Sequence, residues 1–460
     1  MIVIGAGVAG LEAARRLVQR GLRVVVLEAR ARLGGRIRTE RPAGWPAPVE
    51  LGAEFVHGRP RTLVQALAAA RARVIELSWR HAFVRRGTID LGSATWRAAQ
   101  AWMDRLPDED VSFASMLRRP GFTRGLSRES RAMLLGFVEG FNAADAERIS
   151  VLGLNRQTRA SEAEEGDRIF HVPGGYDQLV RHLARPLARP RVAQRLGTTQ
   201  GALRLGTVVT DVEWGAGGVR VRSRGALGGT LATLRARVAL VTVPLSVLQA
   251  RRPARGAIAF APALPAGKRA AIDHLAMGNV VKIVVRFRDR FGSGWSSPIP
   301  RDTGFLHVPG AAVPVWWTFG PEPHRCLVGW VAGPAADRLA RVGNGARGPV
   351  SGDPSLPRLP RLRAAIAGLA RGLGTSTRDL LTAVEDAVVV DWAEDPYARG
   401  AYSYVPVGGL DAPAELAAPL SGRLFFAGEA TDTGGDPGTV HGALRSGARA
   451  AREVAAHLSS

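Results

Sequence analysis

Cysteine is almost absent: the 460-residue chain has one, Cys326. A single thiol closes no disulfide framework and builds no thiolate metal centre. The nine histidines show no ligand spacing of the HExxH kind, so no metal site is expected. Lysine is nearly missing too. Only Lys268 and Lys282 occur, so almost all of the 62 basic residues are arginine. These outnumber the 40 acids and give a net charge of +22, yet they are scattered singly or in pairs such as Arg85-Arg86. No basic block is long enough for a phosphate-binding arm, which argues against a nucleic-acid partner. No uncharged apolar run approaches the ~18 residues a membrane span needs. The first residues enter a strand at once, without a basic region or a small-residue cleavage site, so the cytoplasm is the expected compartment.

What is present is ordered by period. Residues 1–4 are an apolar run that stops at Gly5, residues 11–19 carry helical spacing, and residues 22–27 are a second apolar run. This is a βαβ unit whose strands are buried on both faces. Helices are expected over 61–72, 94–105 and 127–141, the last opening a helical lobe that continues toward residue 159. Residues 204–243 read as an antiparallel meander, with strands at 208–212, 219–222 and 238–243 between Gly-rich turns. A further strand is expected at 280–287, a loop insertion at 342–361, a last strand at 424–427 and a closing helix at 439–458. Chain length allows two intertwined domains.

Gly5-Ala6-Gly7-Val8-Ala9-Gly10 lies between the first strand and first helix, and Glu28 ends the second strand. Gly5 permits the tight turn, Gly7 lets backbone approach a pyrophosphate, and Gly10 allows close packing of helix on strand. The helix N-terminus presents free N–H groups to phosphate. Glu28 can accept hydrogen bonds from ribose hydroxyls and would repel a 2′-phosphate. Arg30, Arg32, Gly34, Gly35 and Arg36 form a second glycine turn flanked by guanidinium groups, which a nicotinamide enzyme would not need. FAD is the dinucleotide this pattern favours.

Segments 3–10, 33–39, 50–58, 173–179, 241–248, 282–287, 392–409 and 424–450 together resemble the flavin amine oxidase family, which includes monoamine oxidases, polyamine oxidases and lysine-specific histone demethylases. The resemblance runs from end to end. It implies a mixed α/β fold in which a Rossmann-like FAD-binding domain (residues 1–78, 165–262 and 419–460) is interleaved with a substrate domain of mixed β-sheet flanked by helices (79–164 and 263–418). It also implies that Val209 holds the adenine through its backbone, that Gly52, Ala53 and Glu54 lie near the flavin ring, and that Gly428 and Glu429 meet the ribityl and pyrophosphate groups. Thr439 and Val440 would open the final helix toward the pyrimidine edge of the ring. Covalent members of the family attach the flavin through a cysteine shortly before that helix. Residues 432–438 contain none, so FAD is expected to be non-covalent.

Lys282 sits in a strand too apolar for a casual surface charge, although snorkelling to solvent is the alternative. The resemblance assigns it a catalytic role, holding a water at flavin N5. Tyr402 takes the position of a substrate-cage aromatic, and Trp392 and Tyr397 in the same segment are expected against the cofactor; core packing is the alternative for each. Thr439 stands where an opposite aromatic wall is common. His57 matches the position at which polyamine oxidases meet a remote amino group, and Glu162, Glu164 and Glu165 could give a polycation a negative rim. The expected reaction is hydride transfer from the α-carbon of a small amine, polyamine-like or other, to FAD, with dioxygen reoxidising the flavin to yield hydrogen peroxide. An L-amino-acid oxidase, another FAD-dependent desaturase or oxidase, and a flavin-bound binding module without catalysis are the rival readings.

Overall fold

Ile2–Ile4 is apolar at every position and buried on both faces, which commits it to the interior of a parallel sheet. The computed structural model describes residues 1–77, 80–91, 101–188, 202–288, 303–318, 325–343 and 359–459. In it Ile2–Ile4 is the centre of a five-stranded sheet, flanked by Val25–Leu27 and Ala239–Val241, with Leu203–Arg204 and Leu424–Phe426 at the edges. Every neighbour runs parallel. Three distant stretches of chain therefore build one sheet. Val8–Gln19 and Val440–Ser459 cover it side by side. They approach so closely that a Cβ at Gly447 would run into the Ala9 carbonyl, which is why a small residue stands there.

The expected meander needs correction at its end. Thr207–Gly215 and Gly218–Gly225 are antiparallel as anticipated, but the third antiparallel strand is Leu234–Ala236, which was not expected, and Ala239–Val241 leaves them for the parallel sheet. Burial explains the difference: Gly218–Gly225 alternates buried and exposed positions, as a half-solvated strand must, whereas Ala239–Val241 is buried throughout.

A second, seven-stranded sheet carries Val384–Asp391, Val280–Phe287, Cys326–Ala332, Val315–Thr318, Thr303–His307, Arg80–Arg85 and Thr88–Leu91 in that order. It is antiparallel except where Thr303–His307 meets Arg80–Arg85. Pro360–Leu373 packs on one face through Leu362, Ile366 and Leu369. Its first two residues end the stretch read as a loop insertion, most of which lies outside the described residues, as does most of the helix expected over 94–105. The helical lobe is Arg128–Asn142 and Val151–Glu162, each capped by a serine hydroxyl, Ser127 and Ser150. Among the described residues no helix is long and apolar enough to cross a membrane.

Candidate active site

At the C-terminal edge of the parallel sheet the chain makes two stacked glycine turns. Gly5 takes a positive φ of 109°, and a Cβ on Gly10 would strike the Gly5 carbonyl. Gly34 N–H donates to the Ala6 carbonyl at 2.9 Å, which lays the second turn on the first. Glu28 is fastened at the strand end by the N–H groups of Ala6 (2.8 Å) and Arg30 (3.0 Å). Arg30 grips Asp395 with two bonds of 3.0 and 2.8 Å, and Arg36 donates to Glu429 at 2.7 Å and to the Ala401 carbonyl at 2.9 Å. Arg32 instead turns inward to the carbonyls of Leu33, Gly35 and Ile37, so it tightens the loop.

These groups wall one end of a cavity of about 1030 Å³. A dinucleotide fits what they leave. A Cβ on Gly7 or Gly428 would meet no protein atom within 4 Å, although both line the cavity. Val208 and Val209 line the same end. Tyr397, whose ring lies under the Arg30 and Arg255 guanidinium groups, keeps a buried hydroxyl without a protein partner and faces the cavity. Buried hydroxyls are normally satisfied, so this one awaits a ligand.

Further along, Gly52 must be glycine because a Cβ would strike the Arg36 carbonyl. Trp392 covers it, tied through Nε1 to the Leu51 carbonyl at 2.9 Å. Lys282 is 1% exposed, which removes the snorkelling alternative. Its Nζ lies 2.6 Å from Glu54 Oε2 and 3.3 Å from the Gly52 carbonyl oxygen. Trp317 Nε1 donates to the other Glu54 oxygen at 2.9 Å. Glu429 collects three further donors on Oε2: Ser403 Oγ at 2.6 Å, Gly438 N–H at 2.9 Å and Ser403 N–H at 3.3 Å.

The far end of the cavity is aromatic. Tyr402 donates its hydroxyl to the Phe141 carbonyl at 2.6 Å, and burial pushes its phenol well above the usual range. Thr439 lines the wall while its hydroxyl caps the last helix, accepting from Gly442 N–H at 3.0 Å. His57 stands edge-on to Phe141, 5.5 Å between ring centres. Burial, and then the charge of His441, lowers its pKa to about 4, so it is neutral at physiological pH. Glu165 pairs with Arg168, and Glu164 lies 3.5 Å from Arg445, so two of the three acids expected at a rim already face arginine.

Residues missed in the sequence complete this end. Phe305, His81, His307 and Phe83 form a ladder of rings whose successive centres stand 5.3, 5.0 and 4.5 Å apart. Phe137 and Phe141 stack at 5.6 Å on the helix Arg128–Asn142, exposed by 36% and 47%. The signal lay in that helix's two apolar faces. Leu134 and Val138 point into the core, while Met133, Phe137 and Phe141 repeat at helical spacing on the cavity side.

Two family models match the chain: the NAD(P)-binding Rossmann-like domain over residues 3–70 and the flavin containing amine oxidoreductases over residues 70–455. The chain belongs to the flavin-containing amine oxidoreductase family. Its cofactor is FAD, the flavin that a dinucleotide fold accepts. The Arabidopsis thaliana lysine-specific histone demethylase 1 homolog 2 is 30% identical over 99% of this chain and 58% of its own length. The Homo sapiens lysine-specific histone demethylase 2 is 28% identical over 99% of this chain and 53% of its own. The chain thus spans about half the length of the curated relatives it matches. Among solved structures, putrescine oxidase bound to putrescine superposes with a TM-score of 0.76 at 21% identity over 99% of this chain and 98% of that one. Cyclohexylamine oxidase from Brevibacterium oxydans IH-35A gives 0.75 at 21% identity over 100% and 99%. At these identities the structures establish the flavin amine oxidoreductase fold alone.

Proposed function

We propose that this chain is an amine oxidase that takes a hydride from the carbon beside an amine nitrogen and passes the electrons to dioxygen, releasing an aldehyde or ketone and hydrogen peroxide. The observation that carries this reading is the single cavity joining a dinucleotide cradle to an aromatic chamber, with Lys282 at the junction. FAD supplies the hydride acceptor. The chain's own residues bind, orient and exclude water.

Only a neutral amine has the lone pair that drives a hydride off the adjacent carbon. An apolar chamber favours that form, because burying an ammonium without a counter-charge is costly. Phe55, Phe141, Trp317, Trp330 and Tyr402 face the chamber. Neutral His57 can accept an N–H hydrogen bond without adding charge. Glu129 and Asp167, the carboxylates at the mouth, are exposed. The substrate this favours has an apolar body, polyamines fitting less well. Among the described residues lining the cavity the arginines are Arg30 and Arg36, each already holding a carboxylate, which supports an amine over an amino acid. Cys326 is buried in a strand and does not line the cavity, in keeping with FAD held without a thioether link.

The test is anaerobic mixing of the yellow protein with aromatic and alicyclic amines, N-methylated amines, polyamines, amino acids and a methyl-lysine peptide, the last because of the relatives' names. Bleaching of the visible flavin band by an apolar amine, followed by peroxide on admission of air, is the expected result. Bleaching by amino acids alone, or by nothing in the panel, would overturn it.

A further inference from the structure

The Lys282–Glu54 contact joins two side chains buried to 1% and 7% exposure. Glu54 cannot turn to solvent, because Trp317 holds its second oxygen. Lys282 cannot turn either: Nζ uses two of its three donors on Glu54 and the Gly52 carbonyl and lies 5.5 Å over the Trp317 ring. A buried ion pair adds little net stability compared with apolar residues of the same size. Stability alone therefore does not account for a lysine and a glutamate here, in a chain that uses lysine twice.

The other ionisable groups around the pair are weak sources of counter-charge. Glu50 is buried, and its carboxyl is pushed up to about 7, so it is only partly ionised at neutral pH. His171, 3.9 Å from Glu54, is held below the usual histidine range by burial and is neutral. Among the described residues Glu54 is the carboxylate in direct hydrogen-bond contact with Nζ.

We propose that Glu54 is a positioning residue that acts through Lys282, keeping it an ammonium and fixing Nζ where the aromatic chamber meets the Gly52 turn. This rests on the reading that Lys282 works at the flavin edge. There a fixed positive charge favours the reoxidation step, in which dioxygen takes two electrons from the reduced cofactor and two protons and leaves as hydrogen peroxide, because negative charge builds on oxygen first.

Two measurements test it, and neither needs an amine. The first is urea unfolding of the apoprotein for wild type, Lys282→Met, Glu54→Gln and the double variant: both single changes destabilise and the double change recovers part of the loss, the signature of a coupled pair. The second is the pH dependence of reoxidation after photoreduction of the bound flavin. Glu54→Gln is expected to move the alkaline limit of the rate down by about one pH unit, roughly a tenfold loss on that limb. Glu54→Asp restores most of it, and Lys282→Met removes the limb. If Glu54→Gln does not fold, Trp317→Phe, which releases one carboxylate oxygen, should shift the limb in the same direction by less. An unmoved limb overturns the proposal even if the unfolding cycle shows coupling, since the pair would then be structural only. A moved limb in a protein that no amine reduces would sink the amine-oxidase reading and leave this one standing.

Discussion

Arg36 Nη1 stands 2.7 Å from Glu429 Oε1, a contact between residues 393 positions apart. The same carboxylate accepts from Ser403 and Gly438, so one side chain ties the second glycine turn, the Tyr402 segment and the start of the last helix. Glu429→Gln should cost about 3 kcal/mol by leaving Arg36 partly buried without its partner. Urea titration measures that cost, and gel filtration should show flavin lost from the variant. Full retention of both would mean that the contact is dispensable.

Gly7 and Gly10 should separate binding from folding. Gly7→Ala places a methyl group in open space, so the apoprotein should keep its stability within about 0.5 kcal/mol, while affinity for FAD falls because the backbone can no longer approach the phosphates. Gly10→Ala drives a Cβ into the Gly5 carbonyl and should unfold the apoprotein itself. Equal behaviour of the two variants would contradict this geometry.

Gly136 lies inside the helix Arg128–Asn142, lines the cavity and has nothing within 4 Å of its missing Cβ. Alanine there should stabilise the protein by about 1 kcal/mol through helix propensity. The same methyl group narrows the chamber, so KM for the bulkiest substrate should rise while that for the smallest stays. A fall in melting temperature would show that packing, not passage, requires the glycine.

Stability should depend on pH through His57. Its pKa falls from 6.5 to about 4 on folding, so the unfolded chain binds the proton more readily across that window. The contribution is complete above 6.5 and is lost as pH drops toward 4, on the order of 2 kcal/mol between pH 7 and 5. Glu50 works the other way, since its raised pKa makes the fold the better proton binder between 4.5 and about 7. The difference between wild type and His57→Phe isolates the histidine. Urea midpoints at pH 7 and 5 should show the variant losing less stability.

Turnover should climb with pH as the amine in solution loses its proton. Stopped-flow reduction from pH 6 to 9 should give kcat/KM rising in step with the free-amine fraction. A flat profile is incompatible with entry of the neutral form.

Much of the dinucleotide end was legible because its determinants are local. Gly5, Gly7, Gly10 and Glu28 fall within one βαβ unit, where spacing alone fixes geometry. Only the family resemblance put Glu54 beside the expected flavin ring, and its partner Lys282 lies 228 positions away, a pairing that no periodicity announces. Trp317, Phe305, His81 and His307 were missed for a related reason. Phe305, His307 and Trp317 sit on short strands without a clear alternation, and which face meets the cavity is decided by register within the seven-stranded sheet. The reassignment of Ala239–Val241 has the same origin, since an apolar run does not say which sheet it will join.

The five-stranded sheet has a consequence for synthesis. A nascent chain leaving the ribosome exposes Ile2–Ile4 and Ala239–Val241 with one border bare until Leu424–Phe426 has emerged, and Val8–Gln19 lacks its neighbour until residues 440–459 follow. The dinucleotide cradle therefore closes only once residues 424–459 have been made, and until then an open strand edge has to be kept from pairing elsewhere.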